Sequence, residues 1–476
     1  MTLAQIPPVP GASGLGGHVG ELRRDRLGLL LRAAQAAPDV SRLRVFGRHI
    51  VCVHSPALLH ELLVEKAASF EHARTTRLLL QPLLGEGLFI SEGDLWRRQR
   101  RLMAPLFAAS SVARYAPAMH AAATRVADEL AADAAITFDP AHAMTRIAMA
   151  VAGRTLLGID TLGLGDDLGA ALHDALQWSG AQAGSLLVIG QLLAVNALRR
   201  LSLAGPGPLR SPAEALLQRL RGPATLPSAE TRRFRAAIAT IDAAIDRVIA
   251  ERRAASEPHD DLLARLLHAR DDDGAMTDRQ VRDEAVTLFV AGHETTAIAL
   301  TWTLHLLTLH PEIQTAVQAE ADALPGPPTA ADLPRLELTT RAFKESMRLY
   351  PPLYAFTREA IADVQIGRFS LQRGTTVYIT PYTLHRDPIT FPDPERFDPS
   401  RFTPAAEAAR PRTAWLPFGA GPRTCIGLHF ALLEGPIVLA TLLRRLRFAA
   451  CGAPPGLAAL STLRPTPGFR MHANRR

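Results

Sequence analysis

FGAGPRTCIG, residues 418–427, sets one cysteine, Cys425, in a glycine-rich stretch that runs into a helical pattern from Leu428 through Ala431 and Glu434. Glycines at 419, 421 and 427 allow positive φ and a close approach of backbone to a flat ligand. A thiol just ahead of a helix N-terminus has its anion stabilised by backbone N–H groups, which suits a metal ligand. A structural zinc or iron–sulfur site needs about four protein ligands, and no other cysteine lies near this one; the other two are Cys52 and Cys451. A single thiolate fits an iron whose remaining positions are filled by a porphyrin.

Upstream, Thr277 followed three residues later by Gln280 is a capping-box pattern, and Val281, Ala285, Leu288 and Phe289 continue with helical period. Pro311 closes this pattern, so a helix of roughly thirty residues, about 45 Å long, is expected. Midway along it lies AGHETT, 291–296. Gly292 weakens a helix interior by about 1 kcal/mol relative to Ala, and the hydroxyls of Thr295 and Thr296 compete for carbonyls. Local loosening is therefore expected there, leaving a carbonyl and a hydroxyl to face a ligand. In KESMRLYPP, Glu345 and Arg348 share a helix face at i,i+3 before Pro351 and Pro352 end the helix.

The remaining chain is mainly helical from about residue 96 to 349, with Pro- and Gly-rich loops at 204–212 and 323–334. LRVFGRHIVCVHSP, starting at Leu43, alternates as a hairpin and buries Cys52; VQIGRFSLQRGTTVYI, 364–379, is a second strand region with Gly374 at a turn. A Pro-rich meander, one more helix and a short β tail follow.

These segments together resemble the cytochrome P450 family over nearly the whole chain, from about Arg44 to TLRPTPGFRM (462–471). The loop matches the family's haem-binding pattern F-x-x-G-x-R-x-C-x-G at Phe418, Gly421, Arg423, Cys425 and Gly427. The resemblance implies a mainly α fold with small β-sheets, the P450 prism. It implies one domain over 1–476, with about 1–40 as an N-terminal extension, and haem b held by Cys425. Arg423 would bind a propionate and Phe418 would shield the sulfur, with Gly419, Gly427 and Ala291 against the cofactor. GLFISEGDLWRRQRRLMAPLF (87–107) adds Trp96 and Arg100 at i,i+4, and YAFTREA adds Arg358, as further propionate partners. Bidentate guanidinium groups suit carboxylates entering a low dielectric.

By the same resemblance, Glu294 and Thr295 form the acid–threonine pair that relays protons during oxygen activation, and His293 turns away. Glu345, Arg348 and, from FPDPERF, Arg396 form a buried structural cluster that holds the meander. The substrate pocket takes Leu88, Phe89, Ile90, Val290, Leu353, Tyr354, Ala355 and Phe356, nearly all apolar. A terpenoid, fatty acid, steroid or polyketide would suit it.

Composition narrows the setting. Net charge is only +7 over 476 residues, with no basic–aromatic surface motif, so nucleic acid is not an expected partner. Arg97, Arg98, Arg101, Arg410 and Arg412 are expected to form a basic patch for an acidic ferredoxin or flavodoxin. Three scattered cysteines argue for a reducing, cytoplasmic compartment rather than a disulfide framework. The apolar runs at 27–31 and 185–195 are too short to span a bilayer, so no transmembrane anchor is expected. The expected function is monooxygenation of an apolar molecule with O2 and NAD(P)H-derived electrons from a separate donor, by a monomer. A peroxide-driven haem-thiolate enzyme and a non-catalytic haem sensor are the alternatives; the acid–threonine pair counts against the first.

Overall fold

A computed structural model of the chain describes residues 1–160, 167–182, 190–191, 194–195, 198, 216, 228–254, 261–272 and 274–476. The loop expected at 204–212 and most of the apolar run at 185–195 lie outside these residues. The structure is mainly helical with small sheets, as the sequence implies. It divides into two compact units: Met1–Glu71 with Met103–Leu162 and Ala291–Arg476, and His72–Leu102 with Gly163–Val290.

In the larger unit the expected hairpin forms from Val40–Val45 and Arg48–Val53, paired antiparallel with Cys52 opposite Ser41. Thr376–Ile379 adds parallel to Arg48–Val53, and Phe356–Ala360 pairs antiparallel on its other side. Alternation divides these strands between two cores: Val51, Val53, Val377 and Ile379 share one with Ile6, Leu384 and Leu416, and Cys52 lies with Leu43 and Leu29 in the other. Gly374 makes the tight turn into Thr376–Ile379 at φ +84.

The first forty residues pack on the hairpin. Val9 N–H donates to Arg42 O at 3.0 Å and Arg42 N–H to Pro7 O at 2.9 Å, so this segment edges the hairpin. Ile6 and Val9 are buried there because the hairpin alone would leave apolar side chains in water.

The helix that follows the cysteine loop, Leu428–Leu443, is buried on nearly every side. It packs on Ala116–Leu130, Pro311–Asp322 and Glu337–Leu349. Gly435 permits the last approach: a Cβ there would stand 2.4 Å from the Phe343 ring.

The smaller unit holds helices Arg74–Leu84, Asp167–Gln182 and Ala229–Ala254, the last two joined by Trp178 stacked on Phe234 at 4.0 Å. It also begins the longest helix, Asp278–Leu309. The capping box forms as read: Gln280 Oε1 accepts Thr277 N–H at 2.9 Å, and Thr277 Oγ1 accepts Gln280 N–H at 3.3 Å. The helix runs unbroken for 32 residues, and His310 caps the next helix, Pro311–Asp322. The loosening expected around Gly292 does not interrupt it; the Thr295 hydroxyl adds a bond to Ala291 O at 2.8 Å without displacing the ladder.

Candidate active site

The cysteine loop owes its shape to a few backbone bonds and two left-handed glycines. Cys425 N–H donates to Phe418 O at 2.8 Å, closing the loop on itself. Gly419 and Gly421 sit at φ +69 and +70, where a side chain is strained. At Gly421 a Cβ would also stand 1.9 Å from Leu63 O, so only glycine lets the loop rest on that segment. Thr424 Oγ1 donates to Gly421 O at 2.7 Å, and Ala431 N–H donates to Gly427 O at 2.8 Å as the helix begins.

Among the three cysteines Cys425 is the exposed one. Cys52 is fully buried in its strand, out of reach of a large ligand, and burial pushes its thiol up to about 12. No group of three or more His, Cys, Asp or Glu among the described residues could hold a metal ion. A metal on Cys425 would take most of its ligands from outside the described residues. This donor set, one accessible thiol on a loop of minimal side-chain bulk, fits a metal already chelated by a planar macrocycle.

A buried cluster fixes the loop from behind. Arg348 grips Glu345 and also donates to the carbonyls of His385 at 2.9 Å, Pro394 at 2.6 Å and Arg396 at 3.0 Å. His385 accepts Leu416 N–H on Nε2 at 2.8 Å and donates from Nδ1 to Arg348 O at 3.2 Å. This pattern requires the neutral ring, consistent with burial and the neighbouring arginines depressing its pKa far below the ordinary value. Leu416 in turn accepts Gly419 N–H at 3.2 Å, so the chain of contacts runs from Glu345 to the cysteine loop. The sequence reading missed His385, which carries no local motif.

The third arginine of the cluster needs correction. Arg401, not Arg396, faces Glu345, with Nε 3.5 Å from Oε1. Arg396 is exposed and contributes only its carbonyl, because burial of the next side chain, Phe397, turns Arg396 outward. Tyr354 also leaves the expected pocket set. It is buried beside Leu30, Tyr382 and Leu463, and its hydroxyl donates to Leu460 O at 2.7 Å. Leu353, Ala355 and Phe356 remain half-buried, as alternation along an extended segment allows.

On the long helix Ala291 is exposed, Gly292, Glu294 and Thr295 are half-buried, and His293 is buried. Glu294 is engaged: Thr462 Oγ1 donates to its Oε1 at 2.6 Å, and Arg464 forms an ion pair with the same oxygen. Neither partner was foreseen. Arg358 is buried on its strand, its guanidinium 5.2 Å from the Phe356 ring centroid, and Arg423 is half-buried in the turn before Cys425.

In the smaller unit Trp96 and Arg100 are both half-buried on helix Gly93–Met103. The loop before that helix is pinned to the long helix: Glu86 N–H donates to Asp283 at 2.9 Å and Leu88 N–H to Glu284 at 3.0 Å. Leu88, Ile90 and Val290 are buried, whereas Phe89 is more than a third exposed beside His72.

The expected basic patch is largely neutralised. Asp271 pairs with Arg98 at 3.1 Å and Arg101 at 3.0 Å, and Asp94 pairs with Arg97. Arg410 is sandwiched between the Phe391 and Phe402 rings, 4.8 and 4.9 Å from their centroids. Of the five, Arg412 alone is exposed without an ionic partner among the described residues.

The family profile described as Cytochrome P450 matches residues 7–196 and 210–470. Cyclooctatin synthase of Streptomyces melanosporofaciens is 33% identical over 98% of this chain and 93% of its own length. Cyclooctat-9-en-7-ol 5-monooxygenase of the same organism is 33% identical over 96% of this chain and 90% of its own. Pentalenene oxygenase of Streptomyces avermitilis is 32% identical over 92% and 90%. Among solved structures, the cytochrome P450DA heme domain superposes with a TM-score of 0.82 at 25% identity, covering 99% of both chains. No helix among the described residues is long and apolar enough to cross a membrane.

Proposed function

Because the chain belongs to the cytochrome P450 family of monooxygenases, we propose that it inserts oxygen into a terpenoid, as a single P450 domain fed with electrons by a separate ferredoxin or flavodoxin. The observation that carries the reading is Cys425, an exposed thiol on a loop braced through His385 to the buried Glu345–Arg348 pair. Haem on this thiolate would supply oxygen activation, the electron-rich sulfur favouring O–O cleavage.

The chain's own residues do the rest. Cys425 presents the sulfur, Phe418 shields it, and Gly419, Gly427 and Ala291 leave room for a flat group. Arg423, Arg358, Arg100 and Trp96 would hold its carboxylates. Thr295 keeps its hydroxyl on the exposed side of the helix, beside Ala291 O, where it can accept a bond from water. Glu294 beside it can exchange a proton with that water. Leu88, Phe89, Ile90 and Val290 in the smaller unit, and Leu353, Ala355 and Phe356 in the larger, would each offer apolar surface to a substrate. The terpenoid class rests on the relatives named for pentalenene and cyclooctat-9-en-7-ol. Three cysteines, too few and too scattered for a disulfide framework, suit a reducing cytoplasm.

The test is turnover of pentalenene and of a cyclic diterpene alcohol under labelled O2, with NADPH, ferredoxin and ferredoxin reductase. The expected product carries one labelled oxygen. Product formed with hydrogen peroxide but never with NADPH would favour a peroxide-driven enzyme. Ligand binding with no NADPH consumption would favour a sensor.

A further inference from the structure

Glu294 is held from a distant part of the chain. Thr462 Oγ1 donates to its Oε1, the Arg464 guanidinium pairs with the same oxygen, and Arg464 Nε donates to Thr462 Oγ1 at 3.0 Å. No described residue bonds Oε2, and the Glu294 side chain keeps 11% of its exposure. One carboxylate oxygen is thus fixed and the other is left to water.

The hairpin of Leu457–Ala459 and Leu463–Pro465 does not depend on this contact for its place. Trp302 Nε1 donates to Leu463 O at 3.0 Å, and Leu463 N–H donates to Pro352 O at 3.0 Å. At its turn Leu460 O accepts both the Tyr354 hydroxyl at 2.7 Å and Arg26 Nη1 at 3.2 Å. Leu463 itself is fully buried. With the strand anchored independently, Arg464 and Thr462 are delivered to Glu294 by a rigid support. A half-buried glutamate on a helix otherwise samples several rotamers. A two-donor clamp selects one, and a relay group works only when held close to its productive geometry.

We propose that Thr462 and Arg464 are positioning residues of the proton relay: they fix Oε1 of Glu294 and thereby present Oε2 to the water beside Thr295. The inference rests on the reading of Glu294 and Thr295 as the relay. Protons decide where electrons go. One NADPH and one proton per O2 end as hydrogen peroxide, whereas two NADPH and two protons per O2 end as two waters. A misplaced acid shifts the balance toward peroxide.

The experiment uses the haem-loaded protein without added substrate, a plant-type ferredoxin and its reductase as donor, and peroxide released per NADPH as the readout. Arg464→Met and Glu294→Gln are each expected to raise that ratio about threefold, a modest share of what misplacing a relay group can cost. Thr462→Val should raise it less, and Arg464→Lys should restore most of the wild-type ratio. The spectrum of the reduced protein with CO should be unchanged in all four. If Arg464→Met matches wild type while Glu294→Gln does not, the positioning role is wrong and the relay stands. A wild-type ratio in Glu294→Gln overturns the relay itself, and this inference with it. Loss of the CO spectrum in Arg464→Met and Arg464→Lys alike would make Arg464 a structural residue only.

Discussion

Arg348 grips Glu345 through two bonds, Nε to Oε2 at 2.7 Å and Nη2 to Oε1 at 2.8 Å, and neither side chain is exposed at all. Burial pushes the Glu345 carboxyl up, against the pull of Arg348, of the Asp398 N–H bond and of Arg401, so the buried charge depends on these partners together. Arg348 also supports three carbonyls of the meander. Arg348→Ala would leave the buried carboxylate with only Asp398 N–H and the more distant Arg401 facing it, and would strip those carbonyls of the Arg348 donor. A loss of about 3–5 kcal/mol is expected, or failure to fold, measured by denaturant unfolding of the haem-loaded protein. A loss below about 1 kcal/mol would mean that water or another cation takes over.

Arg401 and Arg396 offer a sharper comparison. Arg401 faces Glu345 and donates to Asp393 O at 3.0 Å, whereas Arg396 is exposed and acts through its backbone. Arg401→Ala should destabilise clearly, while Arg396→Ala should stay within about 0.5 kcal/mol of wild type, as surface changes do. The reverse order in the same unfolding assay would restore Arg396 to the cluster.

Two buried carboxyls contribute to the pH dependence of stability. Burial pushes Glu434 up to about 8 against a hydrogen bond with Thr296, and it pushes Glu284 up to about 8 against the bond from Leu88 N–H. Each binds its proton more tightly folded than unfolded, where the ordinary value is 4.5. Their stabilising effect is therefore complete below 4.5 and is lost as pH rises to about 8, at up to about 1.4 kcal/mol per pH unit for each group. Glu434→Gln and Glu284→Gln should each flatten the fall in stability over that window. Parallel curves for wild type and both variants would show that these carboxyls ionise freely.

Much of this was legible from neighbouring residues. The capping pair Thr277–Gln280 and the glycines around Cys425 act within a few positions, so spacing alone reports them. The contacts that escaped are those made across the chain. FPDPERFDPSRF offers two arginines, each before a phenylalanine, and only packing decides that Arg401 and not Arg396 reaches Glu345. Thr462 and Arg464 lie 168 and 170 positions from Glu294, and no periodicity links them. Arg98 and Arg101 read as free charges because their partner, Asp271, is 173 and 170 positions away. The family resemblance puts Tyr354 in the pocket, while its hydroxyl bond to Leu460 lies 106 positions on.

The identity of the iron ligand is the centre of the account, and the absorption spectrum of the reduced protein with CO tests it most directly. Thiolate ligation by Cys425 predicts the long-wavelength Soret band of a haem-thiolate carbonyl in the folded wild type. Cys425→His should bind haem with its band at the shorter wavelength of imidazole ligation, while Cys52→Ala and Cys451→Ala keep the wild-type band. A folded wild type that shows only the short-wavelength band, or a Cys425→His variant that keeps the long-wavelength one, would contradict it.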